Sequence, residues 1–467
     1  MKSTRTWVIL AGILLGILPL LIPAPEAFPV AAWRLLGLTL WLALWWLTEV
    51  VPMAVTSLLP FIVMPILAIA PTDQIVGAYA DPIVFLYLGG FLIAAAMQAT
   101  GLHRRIALTI TGILGSSPSG IILGFMGATW FLSMWMSNTA TAAMMFPVGI
   151  SLVELFERQK GESRGFGVPL MLGIAYSASI GGVATLIGSV PNAIFAGYMN
   201  DLGTPVSFLG WLVVGLPVSL LLFFFAYWIL TRVLFKTREL EFPGGAELLR
   251  QERAQLGTTS RDERLVFFIF VLAAFLWIFK GALGIPLSDA QVAILAGILL
   301  FILPGKSGGL LAWEEAVRIP WGVLLLFGGG LALAKAFEIT GLAQVIGQGV
   351  AGFSGISIVL ILALVTVTVL FLTELTSNTA TAATFIPIMG AVAVGLGAGA
   401  GYLALPVAMA ASCAFMLPVA TPPNAIVFAY KDLNVGDMAR AGLGLNIVAV
   451  LAIAVAAAWL APRIIGS

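Results

Sequence analysis

Ser137-Asn138-Thr139-Ala140-Thr141-Ala142-Ala143 recurs as Ser377-Asn378-Thr379-Ala380-Thr381-Ala382-Ala383, at an offset of 240 residues (137 to 377). Each copy is embedded in a long apolar stretch. Hydrocarbon has no water to satisfy freed polar groups, so a run of hydroxyl and amide side chains there must line a protein-enclosed or wet cavity. A single Ser-Asn-Thr would also serve as hydrogen-bonding glue between helices. Two copies at equivalent places in one chain point instead to a solute and ion site at a repeat interface, the organisation of a secondary transporter.

Composition fixes the class. Of the 467 residues, 61% are hydrophobic and only 9% are charged, against about 25% charged in soluble domains. The net charge of +1, with no basic stripe, gives no footprint for nucleic acid. Cys413 is the only cysteine and His103 the only histidine, which removes an intrachain disulfide and any Cys- or His-based metal cluster. The apolar run after Met1-Lys2-Ser3-Thr4-Arg5 lacks a small-residue cleavage site and reads as a first helix rather than a removed signal.

Apolar runs of bilayer-spanning length, roughly 20 residues, follow one another along the chain. Candidate spans are 7–23, 31–49, 53–70, 83–100, 168–200, 207–231, 265–281, 289–303, 321–338, 402–430 and 441–462. The segments 118–150 and 354–395 are too long for one span and carry the repeated motif near their middles, so each reads as a re-entrant hairpin with the motif at its tip. The expected fold class is an all-α integral membrane protein with eleven transmembrane helices plus two re-entrant hairpins in an inverted repeat. Residues 1–30 form the N-terminal helix, 31–235 the first repeat, 236–264 a cytoplasmic linker and 265–467 the second repeat.

Lysine and arginine placement sets the orientation. With the N-terminus inside, 18 of the 22 basic residues fall on the cytoplasmic side, the exceptions being Arg34, Lys280, Lys335 and Arg463. The reading is a multi-pass protein of the cell (inner) membrane with a cytoplasmic N-terminus. The repeat extends beyond the tips. Gly89-Gly90 and Thr100-Gly101-Leu102 match Gly329-Gly330 and Thr340-Gly341-Leu342, and Leu47-Thr48-Glu49 aligns with Leu287-Ser288-Asp289. Ile187-Gly188-Ser189-Val190-Pro191-Asn192 resembles Val419-Ala420-Thr421-Pro422-Pro423-Asn424. An odd number of crossings between equivalent points puts the halves in opposite orientations.

Proline removes a backbone donor and disrupts a helix, so both Pro-Asn segments read as breaks within long spans. Each break frees carbonyl oxygens and exposes a half-helix N-terminus. Carbonyl, Ser, Thr and Asn oxygens suit a hard alkali cation, and half-helix N-termini suit an anion. No lysine or arginine lies near any of the four motifs. Burying an unpaired carboxylate costs several kcal/mol, so bound cations would supply the balancing charge for an anionic solute. One Asn-Thr pair per half matches a ligand with two similar anionic ends.

The duplicated Ser-Asn-Thr, the Thr421-Pro422-Pro423-Asn424 break and Thr48-Glu49-Val50-Val51-Pro52 resemble the divalent anion–sodium symporter family, which includes the INDY-type dicarboxylate transporters. The resemblance covers essentially the whole chain. It implies a homodimer with a fixed scaffold, an elevator-like transport domain and sodium-coupled uptake of four-carbon dicarboxylates such as succinate, fumarate and malate. It also implies that Na+ is held at a first site by Ser133, Ser137, Asn138 and the Gly188 backbone. The second Na+ site would use Thr373, Thr376, Asn378 and the Ala420 backbone. Substrate carboxylates would meet Asn138 and Thr139 at one end and Asn378 and Thr379 at the other, with Ser189, Thr421 and Pro422 nearby. The first break departs from the double-proline pattern, with Val190 where the second half has Pro422.

Other polar residues read differently. Glu374, where the first half has Met134, is either a proton-linked or cation-steering group or a structural one. Glu49 and Asp289 read as caps or scaffold contacts, His103 as an interfacial residue, and Cys413 as a buried hydrophobe. Trp41, Trp45 and Trp46 read as packing and interface anchors. The alternatives within transport are a dicarboxylate exchanger of the same fold, or a sodium-coupled sulfate or citrate transporter. An integral membrane enzyme lacks its nucleophile, metal cluster or acid–base pair, and a channel suits discontinuous helices less well than alternating access.

Overall fold

The computed structural model describes residues 2–113, 117–160, 164–235, 237, 240, 244–306, 308–351 and 357–459. Helix α1 (Lys2–Leu21) leads into α2 (Val30–Thr48), α3 (Met53–Thr56), α4 (Leu59–Ile66) and α5 (Thr72–Tyr79). The first half continues with α6 (Pro82–Thr100), α7 (Leu102–Ile113), α8 (Pro118–Ser133) and α9 (Asn138–Lys160). It closes with α10 (Arg164–Ala184), α11 (Val190–Asp201) and α12 (Phe208–Trp228). A connecting helix, α13 (Gly245–Gln255), precedes α14 (Arg261–Phe279), α15 (Asp289–Ile302), α16 (Trp313–Ala316) and α17 (Trp321–Ile339). The chain then forms α18 (Leu342–Ala351), α19 (Ile358–Thr373), α20 (Asn378–Gly395), α21 (Gly401–Ala411), α22 (Pro422–Val427) and α23 (Val435–Trp459). Among the described residues the only strands are Pro304–Gly305 and Gly308–Gly309, paired antiparallel.

Nine helical segments among the described residues are long and apolar enough to cross a membrane, and five shorter apolar helices accompany them. The fold is that of an all-α membrane protein. Four consecutive helices, α6 to α9, recur as α17 to α20 at the 240-residue offset of the motif. Gly101 (φ +80°) and Gly341 (φ +78°) stand at equivalent corners after α6 and α17. That left-handed backbone admits glycine without a Cβ penalty, which accounts for the repeated Thr-Gly-Leu.

Sequence punctuation starts many of the helices. Asp81 accepts the Ile83 N–H ahead of Pro82, and Ser117 and Ser207 cap α8 and α12. Ser260 with Glu263, and Ser288 with Gln291, form reciprocal capping boxes that open α14 and α15. The core lies along α10, where every residue from Phe166 to Ala184 is buried. An all-round apolar helix belongs inside the molecule. Its small residues permit close approach, since a Cβ on Gly181 would fall 2.3 Å from the Trp130 carbonyl oxygen. Gly89 similarly seats α6 against the Ala293 backbone of α15.

Several expected boundaries differ. The span 53–70 is two short helices, α3 and α4, separated at Ser57–Leu58. The second arm of the 118–150 hairpin runs to Lys160, because Leu152, Val153 and Phe156 keep one face buried beyond Ile150 despite the charged residues between them. The short α5 and the amphipathic α7 and α18 fall between the expected spans, since none carries an apolar run of spanning length. Within 236–264, α13 is held to α7 by an Arg104–Glu252 ion pair (2.8 Å). Arg105 binds Glu263 (2.8 Å) and the Leu256 and Gly257 carbonyls. Residues 236, 238, 239 and 241–243 of that linker, 354–356 of the second hairpin, and 460–467 with Arg463 lie outside the described residues.

Candidate functional site

The two motif copies are the turns of two helix–turn–helix units. Helix α8 ends at Ser133 and α9 begins at Asn138, and in the second half α19 ends at Thr373 and α20 begins at Asn378. The two Pro-Asn segments are interruptions, one between Ala184 and Val190 and one between Ala411 and Pro422. Each asparagine of the breaks clamps its own interruption. Asn192 Nδ2 donates to the carbonyls of Gly182 (2.9 Å) and Thr185 (2.8 Å). Asn424 Nδ2 donates to those of Ala414 (3.2 Å) and Leu417 (3.0 Å). Both satisfy carbonyls that the proline-started helices cannot.

A cavity of about 920 Å³ lies where turns and breaks meet. It gathers Ser137, Asn138 and Thr139 of the first turn with Thr376, Asn378 and Thr379 of the second. Gly188 and Ser189 of one break and Ala420, Thr421 and Pro422 of the other complete the wall. Helices α9, α11, α20 and α22 therefore all begin at this cavity; α22 opens on Pro422 and Pro423, which carry no N–H, so the free first-turn N–H groups belong to α9, α11 and α20. Among the described residues no lysine or arginine lines it, and Glu49 is its only charged residue. Glu49 ends α2 in the left-handed region (φ 47°), where glycine is the usual occupant. Glu49 thus lines the cavity as well as ending a helix, which the sequence reading missed. Asp289, its repeat counterpart, is a scaffold contact, accepting the Phe208 N–H (2.7 Å) and pairing with Lys280 (2.7 Å).

Behind the cavity wall are two oxygen clusters. Buried Ser133 Oγ is 2.6 Å from both Asn138 Oδ1 and the Ala178 carbonyl. The side-chain position of Asn138 that faces Ser133 is also 3.1 Å from the Ala178 oxygen and 3.3 Å from the Gly188 oxygen. With nitrogen at that position the amide donates to all three. With oxygen there, four oxygens converge around a single hydroxyl proton, an arrangement complementary to an alkali cation. Gly182 packs against this amide, since a Cβ there would fall 2.6 Å from Asn138 Oδ1. In the second half buried Thr373 Oγ1 donates to Asn378 Oδ1 (2.8 Å) and the Ala411 carbonyl (3.1 Å), the same pattern at equivalent residues.

Other expected site residues have local partners. Ser137 Oγ accepts the Ala140 N–H (3.2 Å) at the start of α9. Thr376 Oγ1 bonds Leu372 O (2.9 Å) and Thr381 Oγ1 (2.8 Å) within its own hairpin. Thr421 Oγ1 caps α22 through the Asn424 N–H (3.3 Å). Ser189 Oγ meets Ser412 Oγ at 2.9 Å, joining one break to the other.

Glu374 is buried and accepts the backbone N–H groups of Phe415 (2.8 Å), Met416 (3.0 Å) and Leu417 (3.2 Å) and the Asn446 amide (2.8 Å). A carboxylate with four donors is a structural anchor of the second break. The halves differ for this reason: α10 stays helical to Ala184, whereas α21 unwinds at Ala411 and Glu374 takes up the freed N–H groups. Cys413 is fully buried there, and His103 binds the Met97 carbonyl through Nδ1 (2.8 Å).

The family model for the sodium:sulfate symporter transmembrane region matches residues 3–465. The chain is 41% identical over 475 aligned positions to the sodium-dependent dicarboxylate transporter SdcS of Staphylococcus aureus strain MRSA252. That match covers 98% of this chain and 91% of the relative, and the protein of the same name from strain USA300 matches to the same extent. The crystal structure of the Alcanivorax borkumensis YdaH transporter, described as having an unusual topology, superposes with a TM-score of 0.59. It covers 85% of this chain and 88% of its own at 13% identity, a likeness of fold alone.

Proposed function

The chain belongs to the sodium:sulfate symporter family, a family of transporters rather than enzymes, and on that premise we propose that it is a sodium-coupled symporter importing four-carbon dicarboxylates such as succinate, fumarate and malate. The observation that carries this reading is a cavity with one Asn-Thr pair at each side and, among the described residues, no basic one in its wall. A dianion there needs positive charge from elsewhere. The oxygen clusters at Ser133, Asn138, Ala178 and Gly188, and at Thr373, Asn378 and Ala411, are suited to supply it by holding sodium. Sodium is co-transported cargo in this reading.

Each asparagine then works in two directions. Its oxygen faces the cation cluster and its nitrogen faces the cavity, where it donates to a substrate carboxylate. Thr139 and Thr379 add hydroxyl donors, Ser189, Thr421 and Pro422 shape the wall, and the helix starts favour negative charge. Ser137, Thr376 and the Ala420 backbone complete the two cation sites by small rotations from their present partners. Transport follows as an elevator movement of the two hairpins and two broken helices against the remaining helices. It takes place in a homodimer in the cell (inner) membrane with a cytoplasmic N-terminus.

The test is uptake by purified protein in proteoliposomes with sodium, lithium or potassium outside. Succinate uptake that requires sodium and competes with fumarate and malate is expected. Uptake that proceeds equally in potassium and needs succinate inside would make the protein an exchanger. Preferential uptake of sulfate or citrate would overturn the choice of substrate.

A further inference from the structure

Tyr87 lies on α6, fully buried beside the cavity, and its hydroxyl is 2.5 Å from the Leu186 carbonyl and 2.6 Å from the Ser189 carbonyl. Those carbonyls flank Gly188, whose own carbonyl faces Asn138 in the first oxygen cluster. The break there is short, and its internal bonds are few: Gly188 N–H reaches Thr185 O at 3.3 Å, and the Asn192 side chain holds the Gly182 and Thr185 carbonyls. Among the described residues Tyr87 is the one group that bonds both carbonyls, and the Ser189 carbonyl also accepts the Asn192 N–H (3.1 Å). Tyr87 itself is set rigidly by edge contacts with Phe91 (5.8 Å) and Phe327 (4.8 Å). Helix α6 in turn is seated on α15 through Gly89.

Among the described residues the second half has no such bond. Phe327 stands at the position equivalent to Tyr87, 240 residues on, and lacks a hydroxyl. Its break is anchored by Glu374 instead. One break is therefore held from a neighbouring helix outside the hairpin–break assembly, and the other from within its own hairpin.

We propose that Tyr87 is a positioning residue for the first cation site: its hydroxyl holds the Leu186–Ser189 turn so that the Gly188 carbonyl points at the Asn138 cluster. This rests on the sodium-symport reading. Removing the hydroxyl frees the turn to rotate, which weakens one cation site while leaving the carboxylate donors Thr139, Asn378 and Thr379 in place.

The test is Tyr87→Phe beside wild type in proteoliposomes, measuring succinate uptake against sodium concentration and, at saturating sodium, against succinate concentration. The half-saturating sodium concentration is expected to rise about fivefold, the equilibrium equivalent of losing about one net hydrogen bond. The maximal rate and the succinate KM at saturating sodium are expected to stay within about twofold of wild type. A wild-type sodium dependence in a folded Tyr87→Phe variant overturns the proposal and leaves the symport reading standing. Sodium-independent uptake by wild type overturns both. If Tyr87→Phe is not recovered as monodisperse protein, Tyr87→Gln carries an amide with two N–H donors on a side chain too short to reach both carbonyls. An intermediate rise in the sodium requirement is then expected, and an unchanged requirement overturns the proposal.

Discussion

Ser189 Oγ lies 2.9 Å from Ser412 Oγ, so the two helix interruptions, more than two hundred residues apart in sequence, are hydrogen-bonded to one another beside the cavity. Both hydroxyls are buried. Ser412 also donates back to Ala408 O at 3.4 Å, a long bond that does not compete strongly. Replacing one serine leaves the other hydroxyl short of a partner, at a cost of about 1–3 kcal/mol. Ser189→Ala and Ser412→Ala are each expected to lower thermal stability and raise the succinate KM several-fold. The double variant is expected to lose less than the sum, with a coupling energy of about 1 kcal/mol. Strict additivity in that cycle would mean that the contact carries no energy.

Glu374 separates two readings of an intramembrane acid. As an anchor, its carboxylate must accept four donors at once. In Glu374→Gln an amide nitrogen faces those N–H groups, and hydrogen bonds to a charged group, worth about 1.5–3 kcal/mol each, are lost. The expected outcome is a loss of about 3 kcal/mol or more of stability, with uptake lost at every pH. A stable Glu374→Gln protein whose uptake has merely become insensitive to pH would make Glu374 a proton-linked group instead.

Gly182 tests the first oxygen cluster from behind. A Cβ at this position would stand 2.6 Å from Asn138 Oδ1 and 2.8 Å from its Nδ2. Gly182→Ala must therefore displace the amide or shift α10, and overpacking of this kind costs about 1–3 kcal/mol. Sodium affinity is expected to fall about tenfold while the protein remains folded. Sodium titration of purified protein by thermal shift reads this directly, and an unaltered titration would remove Asn138 from the cation cluster.

The repeat, the motif turns and the breaks were legible because each is local: small polar residues in an apolar run, a proline after it, and a second copy at a fixed offset. The Gly101 and Gly341 corners were legible for the same reason. Tyr87, Glu374 and Ser412 were not assigned roles from sequence, because their roles come from contacts across long separations. Tyr87 reaches carbonyls 99 and 102 residues away, and Ser412 reaches Ser189 across 223. Only Glu374 left a trace, as a charge beside one motif with methionine beside the other. Helices α5, α7 and α18 escaped because length and apolarity were the criteria, and each is too short or too polar to meet them.

Asn138 and Asn378 occupy the same place in the two halves, each within 2.8 Å of a buried hydroxyl and open to the cavity. If each joins a cation to a carboxylate, truncation breaks both contacts. Asn138→Ala and Asn378→Ala are each expected to abolish uptake while leaving folded protein in the membrane. A lost partner of about 1.5–3 kcal/mol weakens binding at least tenfold. Near-normal uptake by either variant would exclude that turn from the site.

Binding order follows from charge. Among the described residues the only charged one lining the cavity is Glu49, which repels an anionic substrate. Lys335 does not line the cavity, and its charge acts instead on Asp81 and Asp201. Positive charge for a dianion must then arrive with the co-transported cation, so succinate is expected to bind detectably only in the presence of sodium. By linkage succinate must tighten sodium binding by the same factor. Calorimetric titration of purified protein, adding succinate in sodium and in potassium buffer, measures both sides of that equality. An enhancement in one direction without its equal in the other would reveal a third bound species. Tight succinate binding in sodium-free potassium buffer would show that the cavity balances a dianion without sodium, and the assignment of the two oxygen clusters would fall with it.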